Sequence, residues 1–170
     1  MANPYSSLVT AKLAYTRALL RLEAGQGAGL ARTALSQSAL LQLHGAWRAY
    51  LREVAAGYQL RNVEAVVSAA SLCEALQAEG KTPSEARELR DLEADPLSWL
   101  AGMLQSVQQI DGTAPTVTAP HTLPAAAVEN RIAVATGSSP SAEVDAATVG
   151  ALMTAFVELV DRQRGTMIEC

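Results

Sequence analysis

The chain has 170 residues, 49% of them apolar, led by alanine and leucine, with Phe156 the single phenylalanine. That length holds one domain with a real core, and dominance of the two strongest helix formers points to an all-α fold. Formal net charge is −4, no basic cluster marks a nucleic-acid binder, and the two cysteines, Cys73 and Cys170, make no disulfide framework.

Asn3-Pro4 is a good N-cap and N1 pair for a first helix. Leu8, Ala11, Tyr15, Ala18 and Leu22 recur along it at helical spacing as its apolar residues. It is expected to stop near Gly25, where Gly25, Gly27 and Gly29 alternate. A second helix is expected from about Leu30 to Leu60, some 45 Å long at about 1.5 Å per residue. On a helical wheel Leu40, Leu43, Tyr50, Leu51, Val54 and Tyr58 fall within roughly 60° of Trp47. Ala46, Ala49 and Gly57 flank one side of that face; His44, Arg48 and Arg52 flank the other. Gly45 and Gly57 inside the helix are expected to mark close contacts or a slight bend, because each destabilises by up to about 1 kcal/mol against alanine.

A third helix is expected from Asn62 to Glu79, with Val63, Val66, Val67, Ala70, Cys73 and Leu76 as its stripe and Gly80 as its C′ residue. Thr82-Pro83-Ser84-Glu85 is the sharpest local signal. Thr82 suits the N-cap, Pro83 suits N1, and Glu85 at N3 can reach back to the cap nitrogen. The short helix it opens, to about Ala94, is acidic through Glu85, Glu88, Asp91 and Glu93, with Asp95 following. Asp95-Pro96 repeats the cap logic for a fifth helix carrying Leu97, Leu100, Leu104 and Val107 on one face.

Residues 111–141 hold four of the seven prolines and many Thr, Ala and Ser, the make-up of a linker. Arg131 to Thr136 within it could pair as a strand. Ser139-Pro140 is the expected start of a last amphipathic helix, 142–164, with Val144, Val149, Leu152, Phe156 and Leu159/Val160 on its apolar face and a frayed tail, 165–170. It would dock on the bundle or on another chain. The excess negative charge lies in this half: residues 1–110 carry ten Lys/Arg and ten Asp/Glu, residues 111–170 three and seven.

The residue pattern supplies no catalytic, cofactor or metal motif. His44 and His121 lack the Glu three residues earlier that di-iron bundles use, and there is no Cys-x-x-Cys. No G-x-S-x-G occurs, and the glycine-rich turn before the second helix lacks a G-K-[ST] ending. Cys73 reads as a buried small hydrophobe. The one polar constellation is the i, i+4, i+8 row His44, Arg48, Arg52: an anion- or RNA-facing row, or a solvated flank paired to acids of a neighbouring helix. One helical RNase class places an Arg four to six residues before a His at a helix start, and neither histidine here has one. A small apolar ligand beneath Trp47 and Trp99 competes with plain core packing of the two indoles.

The run Ser38-Ala-Leu-Leu-Gln-Leu-His-Gly-Ala-Trp-Arg-Ala-Tyr-Leu-Arg-Glu-Val-Ala, with Glu88-Leu89, Leu92-Glu93 and Ser98-Trp99-Leu100, resembles a family of small uncharacterised helical proteins from Pseudomonas and related gammaproteobacteria, over most of residues 5–110. The resemblance implies a bacterial cytoplasmic helical protein and no activity. The N-terminus lacks the charged start and apolar run of a signal peptide, and no stretch of about 18 apolar residues suggests a membrane span. The expected architecture is an antiparallel up-and-down bundle of the first, second, third and fifth helices within 1–110, the acidic helix serving as a connector. The expected function is a non-enzymatic protein–protein interaction or structural/regulatory module that binds an unidentified protein or itself. The alternative is an enzyme or nucleic-acid factor, RNase-like, acting through His44, Arg48 and Arg52.

Overall fold

A computed structural model describes residues 3–112 and 144–168. It is all-α: α1 Pro4–Ala24, α2 Leu30–Gly57, a single 3₁₀ turn Val63–Ala65, α3 Ala69–Ala78, α4 Ser84–Ala94, α5 Trp99–Ile110 and α6 Ala146–Ile168. The expected linker at 111–141, with its Arg131 to Thr136 segment, lies almost wholly outside the described residues, as do Ser139-Pro140.

α1 and α2 form the longest pairing in the molecule. Asn3 caps α1 by accepting the Tyr5 N–H at 3.1 Å, and its Nδ2 donates to the Glu53 carbonyl at 2.9 Å. Further along, Lys12 Nζ donates to Gln42 at 2.9 Å, and Arg32 donates to Glu23. These contacts step forward on one helix and backward on the other, so the two are antiparallel. A Cβ at Gly45 would stand 3.4 Å from the Lys12 stem, so the expected close approach is real there; at Gly57 it would meet nothing within 4 Å.

α2 ends two turns past Tyr50 in a Schellman motif. The Leu60 N–H reaches the Ala55 carbonyl at 3.0 Å, and Gln59 takes the left-handed conformation at φ 56°. The expected third helix begins seven residues late. Ser68 and Ser71 make a reciprocal capping box at its true start, and the Glu93 carboxylate of α4 accepts the Ala69 and Ala70 N–H groups at 2.6 and 3.2 Å. That acid satisfies orphan donors and opposes the positive end of the helix. α3 ends as expected, with Gly80 at φ 74° and the Lys81 N–H on the Leu76 carbonyl at 2.9 Å.

The two proline signals behave differently from expectation. Pro83, not Thr82, is the N-cap of α4, and no side chain caps that helix. Glu85 does not reach back; its carboxylate accepts the Tyr58 hydroxyl at 3.0 Å instead. Asp95 stabilises a turn by accepting the Leu97 N–H at 2.9 Å, and α5 opens at Ser98, whose Oγ accepts the Ala101 N–H at 3.0 Å. Leu97 therefore precedes α5 and stands 93% exposed, outside the face assigned to it.

The α2 face is the centre of the core. Leu40, Leu43, Trp47, Tyr50, Leu51 and Val54 are fully buried, as are Ala46 and Ala49 beside them. α6 closes the other side. Val144 and Asp145, just before it, share a cavity with Thr33 and Ser36 near the start of α2, Phe156 meets Trp47 and Tyr50, and Arg164 reaches Glu53. α6 thus runs parallel to α2, which the long connection after α5 permits. The Phe156 ring centroid lies 6.3 Å from Trp47, 5.9 Å from Tyr50 and 6.3 Å from Trp99. The space beneath the two indoles is filled by this ring, which stands edge-on to Trp47 and Tyr50, a geometry aromatic quadrupoles favour, and tilted at 52° to Trp99.

Candidate functional site

The row on α2 is split by its surroundings. His44 is half-buried; burial pulls its imidazole below the usual value, Arg48 adds to the effect and Asp111 opposes it. Arg48 is exposed. Arg52 turns to Glu64 after the 3₁₀ turn begins, with an ion pair at 3.3 Å and a bond to the Glu64 carbonyl at 3.4 Å. Glu64 also accepts the Tyr5 hydroxyl at 2.5 Å, which raises the affinity of that phenol for its proton. The Arg52 Nε–H is buried with no acceptor among the described residues. Spacing puts the three side chains on one flank, yet each faces a different environment.

A second polar constellation lies where α2, α4 and α6 meet. Tyr50 donates to Gln163 Oε1 at 2.8 Å, and Gln163 Nε2 donates onward to Glu88 at 2.7 Å. Arg162 holds the same Glu88 carboxylate through two bonds, at 2.6 and 3.2 Å. Beside it Arg164 makes a two-bond clamp on buried Glu53, at 2.8 and 2.7 Å. Burial, then the charge of Glu53, drives the Tyr50 hydroxyl far above its ordinary range, so it stays a neutral donor. The Arg162 bond holds Glu88 below the usual carboxylate value. Every group here has a partner, so the arrangement fastens α6 to the core and leaves no free acid, base or nucleophile. Wheel analysis of α2 places Glu53 off the apolar face, and only the tertiary position of α6 reveals its partner.

The acidic helix divides its acids in the same manner. Glu85 serves Tyr58, Glu88 serves α6 and Glu93 caps α3. α4 is therefore a three-way tie rather than a mere connector. Among the described residues no cluster of 3 or more His, Cys, Asp or Glu is placed to hold a metal ion.

The remaining feature is the outer face of α1. Val9, Leu13, Thr16 and Glu23 turn inward. The other stripe faces solvent: Leu8, Tyr15 and Leu22 are 41%, 57% and 58% exposed. They stand seven residues apart, with Ala11 partly covered and Ala18 exposed between them. This is the a/d spacing of a helix that packs against another helix, and small residues at alternate positions let a partner backbone come close.

The family model described as "family of unknown function (DUF6586)" matches residues 6–170, and the chain belongs to that family. The match runs on through α6, beyond the 5–110 region that carries the resemblance in the sequence. No curated protein and no solved structure matches the chain.

Proposed function

We propose that this member of the family is a non-enzymatic protein–protein interaction module of the bacterial cytoplasm, and that its docking surface is the outer face of α1. The observation that carries the reading is the exposed heptad stripe Leu8, Tyr15, Leu22. Isolated apolar side chains on a surface are ordinary, but a repeat every seven residues along 21 residues of helix is the pattern of a helix–helix seam. The polar groups where α2, α4 and α6 meet support the same reading from the other side, because each is engaged in holding those helices together. No helix among the described residues is long and apolar enough to cross a membrane.

The test is a photo-crosslinking amino acid placed at Tyr15 in the native host, with a matched probe at exposed Arg90 on another face. A discrete adduct from position 15, identified by mass as a second copy or another protein and lost in Leu8→Ser/Leu22→Ser, supports the module. Equal adduct patterns from positions 15 and 90 overturn it.

A second reading, an RNase-like factor on His44, Arg48 and Arg52, draws support from the neutral imidazole that burial favours at His44. A base of that kind needs a third group to orient it. Cleavage of single-stranded RNA by the wild type that disappears in His44→Ala would favour this reading over the module.

A further inference from the structure

We propose that the cleft between α3 and α4 is a binding site for a small phosphate monoester with a short apolar body. The cleft has a volume of about 180 Å³, room for a head group and a short chain. Arg87, Arg90 and Lys81 line it and no carboxylate does. That is a local excess of positive charge on a chain whose net charge is −4. Leu76, Pro83 and Ala86 supply the apolar part of its lining.

The cations are available to a ligand to different degrees. Arg87 is exposed and has no ion pair among the described residues. Arg90 pairs only with its exposed neighbour Asp91 at 3.1 Å, a surface contact of the kind that is worth little. Lys81 Nζ donates to the Tyr58 carbonyl and to Glu79, both at 2.8 Å. Two of its three N–H bonds are used there, and one remains. Residues 87 and 90 are three apart on α4, so their guanidinium groups share one edge of the helix. Glu85 and Glu88 lie on the opposite edge, engaged with α2 and α6. Two planar guanidinium forks match the oxygens of a phosphate, and a monoester near its dianionic state, about −1.5 to −2, balances Arg87 and Arg90 together.

Cys73 also lines the cleft, its Sγ–H donating to the Ala86 carbonyl at 3.1 Å, and it reports occupancy. In full-length Cys170→Ser protein, alkylation of Cys73 by iodoacetamide is followed by mass spectrometry with n-butyl phosphate added. Backbone amide NMR shifts at Gln77 and Arg87 are read in the same titration. Saturable protection and shifts with one midpoint are expected, with inorganic phosphate and butyrate each binding more weakly. Arg87→Gln and Arg90→Gln, both at exposed positions, should each weaken the midpoint by about tenfold or more. No saturable response in either measurement overturns the site, and so do unchanged midpoints in both arginine variants.

Discussion

α6 turns Val149, Phe156, Leu159 and Val160 fully into the interior and pairs Arg162, Gln163 and Arg164 with α2 and α4. α1 buries Val9, Leu13 and Thr16 but leaves Leu8, Tyr15 and Leu22 in solvent. Both helices exceed 20 residues, and both carry a regular apolar repeat. The difference teaches that an apolar repeat states what a helix can pack against, not what it does pack against. α6 is the second wall of the core, although it follows a long connection and has the look of an arm. α1 has two stripes, one for α2 and one left over, although its position as the first helix of a hairpin suggests a purely structural part.

The sharpest way to break this contrast is to remove Phe156. Its ring is fully buried and meets three aromatic residues. Phe156→Ala should destabilise the full chain by about 3–5 kcal/mol, the range for large-to-small aromatic truncation in a core, read as a lower urea midpoint at unchanged slope. A loss under about 1 kcal/mol would mean that α6 is a loosely held arm after all.

Next in size is the Glu53–Arg164 clamp. Arg164→Met strands a carboxylate that is 7% exposed. Breaking a buried pair from one side costs about 3–5 kcal/mol; because the guanidinium is partly solvated, about 2 kcal/mol is expected here. The double variant Glu53→Met/Arg164→Met should recover much of the loss, since two apolar side chains leave no unpaired charge. Equal instability of the single and double variants would refute the clamp.

These two positions also show what was legible in the sequence. The α2 face was readable from Leu40 to Val54 because a 3.6-residue period fixes the shared side of a helix whatever it packs against. The α1 start was readable because Asn3-Pro4 acts locally. Thr82-Pro83-Ser84-Glu85 was misleading because Pro83 rather than Thr82 takes the N-cap and has no N–H for Glu85 to reach, and Glu85 accepts the Tyr58 hydroxyl from another element instead. The Ser68/Ser71 box was visible in principle but was hidden inside an apolar run that reads as continuous helix. Gln163 and Glu88 had no local signal, since their partners lie 113 and 75 residues away in sequence. His44, Arg48 and Arg52 share a flank by their spacing alone, while the acid that engages Arg52 comes from the following turn.

Glu88 gives a pH-dependent measure of the same fastening. Its folded value is depressed by Arg162 and then by Gln163. A carboxylate depressed on folding contributes stability that is present above its unfolded value, near 4.5, and is lost as pH falls through the lower folded value. Wild type should therefore lose stability on acidification below about pH 4.5 more steeply than Glu88→Gln, and should be the more stable of the two at neutral pH. Parallel pH profiles for the two proteins would show that α6 draws nothing from this carboxylate.

The smallest effect on stability is expected where the comparison has most bearing on function. Tyr15→Ser removes a large side chain that is 57% exposed and has no hydrogen bond among those described. A surface change of this kind stays within about 0.5 kcal/mol, and exposing less apolar area can even favour the monomer. Ser and Tyr also have similar helix propensities. Unfolding curves of variant and wild type should nearly superimpose, while the crosslinked adduct from a probe at Leu22 should fade. A stripe that belonged to the core would show the reverse: a loss of several kcal/mol on truncation with no specific loss of adduct. The pair of measurements thus separates the two stripes of α1 by what each one holds, the inner one its own chain and the outer one, on the proposed reading, another helix.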